Sequence, residues 1–168
     1  SIQTTALAFD GPTLSDTGAF PPDSMGAVGP TQFITFVNGR LRTFAKSGSA
    51  DGVLNADPDV FFASVTTPVS PPVVLTFTSD PQIRYDRNSG RWFLLIIDVP
   101  CTNGGCTATA ANRVMIAVSD SASNGTISNS TVWSFFYFVG SAGTDFLDYP
   151  ALGVDVNALY VGGNMVGS

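Results

Sequence analysis

The sequence predicts an all-β protein built of propeller-like antiparallel blades, about two blades plus a partial third, with a β-sandwich as the alternative. Three observations predict it. Gly (17) and Pro (11) interrupt nearly every window in which a helix would propagate, and the helix formers Glu, Lys and Gln are absent or scarce. Short apolar or alternating runs, separated by turn residues, recur along the chain. One strand-opening pattern returns three times with similar internal spacing.

The elements follow in order. Runs at 32–37 and 40–45 flank Asn38-Gly39, the strongest short-range signal for a two-residue hairpin turn, because both residue types tolerate positive φ. Residues 47–80 are rich in Ser, Pro, Asp and Thr and read as a long insertion loop, with one turn of helix at 57–62 where Pro58 suits the first helical position. A second hairpin joins 82–85 to 91–97 through Asp86-Arg-Asn-Ser-Gly90, and further strands are expected at 113–118, 131–138 and 158–161. The long apolar runs at 92–97 and 132–139 read as strands buried on both faces, the interior strands of stacked sheets. Residues 1–168 make a single all-β module, expected to be part of a larger propeller or assembly.

Pro22 to Phe33, Pro81 to Trp92 and Pro150 to Tyr160 each run from a proline, through a turn bearing Gly or Asp, to an aromatic that opens an apolar strand. The offsets are 11, 11 and 10 residues, whereas the prolines lie 59 and 69 apart. Constant spacing within a unit and variable spacing between units is what radial β repeats with loop insertions produce. A sandwich accounts for the strand number but not for the repeated opening.

All thirteen acidic residues are Asp, His and Glu are absent, and Lys46 is the one lysine. Ser-His-Asp and Cys-His relays, His metal ligands and Glu general acids are therefore excluded. A net charge of −6 argues against phosphate-neutralising nucleic-acid binding and against an anionic membrane surface. No apolar run approaches the ~20 residues of a membrane-spanning helix, so membrane insertion is not expected.

Cys101 and Cys106 stand in Pro100-Cys-Thr-Asn-Gly-Gly-Cys-Thr107, a loop-like stretch. A zinc site lacks its remaining ligands, so the pair reads as a local disulfide pinning a hairpin loop, against a redox pair or two free thiols. A disulfide implies an oxidising location: secreted, periplasmic or on the cell surface.

Pro21-Pro-Asp-Ser-Met-Gly-Ala-Val-Gly-Pro30, Asp80-Pro81 with Tyr85-Asp86 and Arg91-Trp92, Ile116-Ala-Val-Ser119, and Asp148-Tyr-Pro-Ala-Leu-Gly153 resemble, in this order, a group of exported bacterial β-propeller-like proteins. The resemblance runs from about Phe9 to Asn164, and its first motif is the most specific. It implies a secreted or surface-exposed propeller, often fused to other extracellular modules, and it carries over no catalytic residue. Members of the group extend well beyond 168 residues, which leads to the expectation that another polypeptide segment or subunit completes the sheet near 158–166.

Tyr85-Asp-Arg-Asn-Ser-Gly-Arg-Trp92 is also similar to the kelch-type strand turn and to the Asp-box of sialidase-like propellers, where Asp bonds turn amides. The ligand-free turn is weighed against Ca²⁺ held by Asp86 and Asn88, whose alternating oxygens match half of an EF-type loop but lack its distal Glu. Asp145, Asp148 and Asp155 crowd a second segment, and Asp51, Asp57 and Asp59 a third. With so few cations to relieve carboxylate repulsion, Ca²⁺ is weighed there against solvated loops. Asn124-Gly-Thr126 and Asn129-Ser-Thr131 match the glycosylation acceptor pattern, which a Ser/Asn/Thr-rich loop produces by composition alone. The chain reads as a non-catalytic extracellular binding or structural module. A glycan-binding lectin-like domain and a structural subunit of an extracellular filament or envelope complex are the rivals.

Overall fold

The computed structural model describes residues 5, 7–108, 111–140 and 145–167. It is all-β, with three antiparallel sheets in chain order. Sheet 1 holds β1 (Met25–Val28), β2 (Gln32–Val37), β3 (Arg40–Ala45) and β4 (Ala50–Ala56). Sheet 2 holds β5 (Leu75–Asp86), β6 (Arg91–Cys101), β7 (Arg113–Ser119) and β8 (Trp133–Val139), and sheet 3 holds β9 (Phe146–Val154) and β10 (Leu159–Val166). Each strand pairs with its neighbour in sequence, so every sheet is an up-and-down meander, and none closes on itself. Two single helical turns, α1 (Leu14–Thr17) and α2 (Pro58–Phe61), complete the elements.

The repeated opening maps onto this architecture. Phe33, Trp92 and Tyr160 are each the second residue of the second strand in their sheet, paired with Val28, Tyr85 and Gly153 on the first strand. The Asn38-Gly39 hairpin forms as expected, with Val37 opposite Arg40, but only Gly39 takes a positive φ, of 77°. Residues 47–80, expected to be an insertion loop, instead supply β4, α2 and the start of β5. The helical turn does stand at Pro58, capped by Asp57, whose carboxylate accepts from Asp59 N at 2.8 Å. Composition misled because β4, Ala-Asp-Gly-Val-Leu-Asn-Ala, is an edge strand interrupted by Asp51, Gly52 and Asn55, residue types that read as turn formers.

Sheet 2 lies between the other two. Along β6, Trp92, Leu94 and Ile96 join a core with Ile34, Phe36 and Leu41 of sheet 1, while Leu95 and Ile97 join a second core with Leu147 and Leu152 of sheet 3. Burial on both faces of 92–97 is thus the two-residue period of a strand serving two cores. For 132–139 that expectation fails. Trp133 and Phe135 pack on Phe61 at ring-centroid distances of 5.3 and 5.2 Å, but Phe136 and Phe138, pointing to the other face, are 56% and 42% exposed. The reason is geometric: β8 is the outer edge of a four-stranded sheet whose second face meets a sheet of only two strands.

Candidate functional site

The first strands of the three sheets lie side by side, with β5 against both β1 and β9. Hydrogen bonds tie them together there. Asn38 Nδ2 donates to Asp23 Oδ2 at 2.8 Å and to Pro21 O at 3.0 Å, and Asn38 Oδ1 accepts from Asp80 N at 3.0 Å. Asp80 in turn accepts from Tyr149 N at 3.1 Å, which links sheet 2 to sheet 3. Asp23, Asp80 and Tyr149 adopt positive φ angles of 41°, 58° and 49°, each beside the proline of its repeat. Non-glycine residues held in this region cost of order 1–3 kcal/mol each and persist where surrounding bonds over-determine them. Burial pushes the Asp23 carboxyl above its ordinary value; the Asn38 hydrogen bond opposes that shift and the neighbouring Asp80 charge adds to it.

A second feature joins the two most distinctive motifs. Val28, Gly29 and Pro30 of the first motif, Tyr85 and Arg87 of the second, and Lys46 line an opening of about 300 Å³. Beside it, Phe9, Val28, Phe33, Ala45 and Lys46 line an apolar hollow of about 310 Å³. Arg40, Arg84, Arg91 and Arg113 spend their guanidinium groups on backbone carbonyls, and Arg42 lies over the Phe44 ring. Lys46 and Arg87 are the basic residues without such a partner among the described residues. Two free cations and a phenol around one opening can accept an anionic group, and the hollow can take an apolar body attached to it.

The carboxylates singled out in the sequence are placed as follows. Asp86 accepts from the amides of Asn88 and Ser89, both at 3.0 Å, so its oxygens close the turn, and the Ser89 hydroxyl and these amides hold its carboxyl below the usual value. Asn88 lies exposed at that turn, where its amide nitrogen is the group Asp86 engages. Asp145 precedes β9, Asp148 lies within it opposite Asn164, and Asp155 follows it. The first and last are separated by the strand's length, roughly 30 Å at 3.3 Å per residue. Asp155 closes the β9–β10 turn by accepting from Asn157 N at 2.7 Å and Ala158 N at 3.0 Å. Asp51 bonds Gln32, Thr43 and Val53 within sheet 1, and Asp59 bonds Thr78. Among the described residues no group of three or more metal-ligating side chains comes together.

Cys101 and Cys106 form a disulfide, with sulfurs 2.00 Å apart, in the connection between β6 and β7. No helix among the described residues is long and apolar enough to cross a membrane. No protein-family model, curated protein or solved structure matches the chain.

Sequence reasoning missed three buried polar residues. Asn38 read as a turn residue only, whereas its side chain turns inward as the hub between Asp23 and Asp80. Gln32 clamps Ile127, donating to its carbonyl at 3.0 Å and accepting from its amide at 2.7 Å. Asn112 does the same to Leu147 across the next sheet boundary. Polar residues flanking an apolar strand were the available signal, but the same residue types also mark ordinary turns.

Proposed function

We propose that the three sheets are two blades and the inner half of a third, and that the chain is a non-catalytic propeller-like module of an exported protein with a binding or structural role. The observation that carries this reading is the succession of first strands, β1, β5 and β9, side by side, with Asp80 of β5 bonded to Tyr149 of β9 and to Asn38 in the β2–β3 turn of sheet 1. Blades radiating from an axis bring their first strands together in chain order, which a two-layer sandwich does not require. The three-fold strand opening supports it, and the disulfide supports export. A structural or protein-binding role is favoured over a glycan lectin because Trp92 is fully buried, Trp133 packs on Phe61 and the exposed row Phe136-Tyr137-Phe138 is mostly Phe, which has no hydrogen-bonding handle; Tyr149 and Tyr160 are the exposed rings a sugar would use.

Spin labels test the arrangement. Labels on the exposed outer-strand residues Asn55 and Ser134 should lie farther apart than labels on the exposed inner-strand residues Val28 and Arg84, because blades fan outwards. Equal separations would mean parallel stacked layers and would refute the blade reading. A glycan array settles the role: selective glycan capture, lost on Tyr149→Ala or Tyr160→Ala, would replace the structural reading with the lectin.

A further inference from the structure

Three turns converge where sheets 1 and 2 meet. The β1–β2 turn brings Gly29 and Pro30, the β3–β4 turn brings Lys46 and the β5–β6 turn brings Arg87; with Val28 and Tyr85 they line one opening of about 300 Å³. Its floor is fixed by packing within the chain. Tyr85 packs on the Trp92 indole, with ring centroids 4.9 Å apart, and on Gly125, where a Cβ would come within 2.5 Å of Tyr85 Oη. Trp92 is held in turn by its bond to Gly125 O and by Gly29 against its ring. The opening is therefore preformed, and both of its walls belong to completed sheets.

The lining is selective in charge. Lys46 and Arg87 are exposed, and no described residue engages their cations; the Tyr85 hydroxyl is a third donor that no described residue accepts from. The apolar hollow of about 310 Å³ beside the opening shares Val28 and Lys46 with it, so the two spaces adjoin. Val28 stands opposite Phe33 in the β1–β2 register, and the Phe9 ring lies 5.9 Å from that of Phe33, which makes the hollow's wall hydrocarbon. Val28 is 56% exposed at the border, so nothing in the described chain fills the passage between them.

We propose that this is a binding site for a free medium-chain fatty acid, its carboxylate held by Lys46, Arg87 and Tyr85 and its chain laid over Val28 into the hollow. The planar fork of Arg87 takes both carboxylate oxygens, and Lys46 adds a point charge. A monoanion fits better than a phosphate dianion, because the chain as a whole carries a net charge of −6 and each further negative charge on the ligand works against that field. A linear chain fits better than a ring, since it runs from one space into the other whereas a ring fills only one. A hollow of about 310 Å³ is at the small end of ligand pockets, which suits a medium chain and not the long chains of a membrane lipid. The site gives the binding role proposed above a ligand, but it rests on the turns of sheets 1 and 2 and not on the radial fan, so the spin-label distances and ligand binding are separate outcomes.

The probe is octanoate, titrated calorimetrically into the whole chain. It should saturate a single site and raise Tm. Octan-1-ol, of the same length but without charge, should bind at least about tenfold more weakly. Affinity should climb from butyrate through hexanoate to octanoate, by up to about fourfold per methylene that enters the hollow. Lys46→Gln combined with Arg87→Gln should weaken octanoate binding at least about tenfold and leave the Tm of the free protein unchanged, because neither side chain is bonded within the described chain. Tyr85→Phe, which keeps the ring on Trp92, should weaken binding at least about twofold. No saturable octanoate binding, equal affinity for octan-1-ol, or undiminished binding by the double variant overturns the proposal. Tighter binding of octyl phosphate than of octanoate overturns it in favour of a phosphate ligand.

Discussion

Asn112 reads both backbone groups of Leu147: its Nδ2 donates to Leu147 O at 2.9 Å, and its Oδ1 accepts from Leu147 N at 3.0 Å. Asn112 is fully buried, so water cannot replace either bond. Leu147 lies on β9 and Asn112 just before β7, which makes this pair a polar rivet between sheets 2 and 3 inside an otherwise apolar contact.

Asn112→Ala therefore strands a buried amide and a buried carbonyl. Each unsatisfied group costs about 1–3 kcal/mol, so the substitution should destabilise the chain by about 2–4 kcal/mol. Urea denaturation measures it, and hydrogen exchange should show 146–154 losing protection before sheet 1 does. A loss spread evenly over all three sheets would mean that Asn112 supports the whole fold and not this joint.

Gly29 lies against the buried Trp92 indole, and a Cβ there would come within 2.3 Å of Trp92 Cζ2. Gly29→Ala should push the ring from its place between Tyr85 and the sheet 1 core, at a cost of about 1–3 kcal/mol. The Trp92 Nε1 bond to Gly125 O, 2.8 Å long, should break with it. A changed tryptophan emission and a lower Tm check this. Gly104→Ala, where a Cβ meets nothing within 4 Å, should leave both unchanged.

The disulfide joins residues only five apart in sequence. On loop-closure grounds a ring this small contributes about 2 kcal/mol, less than the ~3 kcal/mol of a 15-residue loop. Denatured, unreduced protein should titrate no free thiol, and reduction should lower Tm without unfolding the sheets. Two titratable thiols in the unreduced protein would remove the support that Cys101 and Cys106 lend to export.

The strands were legible where two-residue alternation met a turn signal, as at Asn38-Gly39 and at Asp86 to Gly90. Those patterns depend on neighbours in sequence. β4 escaped notice because Asp51, Gly52 and Asn55 read locally as turn formers, whereas Asp51 serves Thr43 and Gln32 within the sheet and Val53 and Leu54 pack on its core. The 132–139 run misled for the opposite reason: apolar content shows what a strand can bury, whereas the number of strands facing it determines what it does bury. The Asp23–Asn38–Asp80 network was illegible because it joins residues up to 57 positions apart, each of which reads locally as a turn former.

Asp23 provides the last prediction, through pH. Burial raises its carboxyl above 3.8 in the folded chain, so the folded state holds that proton more tightly than the unfolded state does. Its contribution to stability is greatest below 3.8 and declines as pH rises through 3.8 to the raised value. Asp51 and Asp86 act in the opposite sense. For Asp51, burial is the largest influence and raises the value, but bonds from Thr43, Val53 and Gln32 together outweigh it and lower the carboxyl; Asp86 is lowered by Ser89 and the turn amides. Their contributions are complete above 3.8 and are lost as pH falls through the lowered values. Asp23→Asn keeps an oxygen that can accept from Asn38 Nδ2 and tolerates the positive φ of position 23. The variant should match the wild type in Tm near pH 3, where Asp23 is protonated, and exceed it at pH 7. Asp86→Asn should show the reverse, a deficit at pH 7 that narrows toward pH 3. Melting both variants and the wild type from pH 3 to pH 8 checks the pair, and a Tm difference for Asp23→Asn that stays constant across that range would show that Asp23 carries no proton-linked strain.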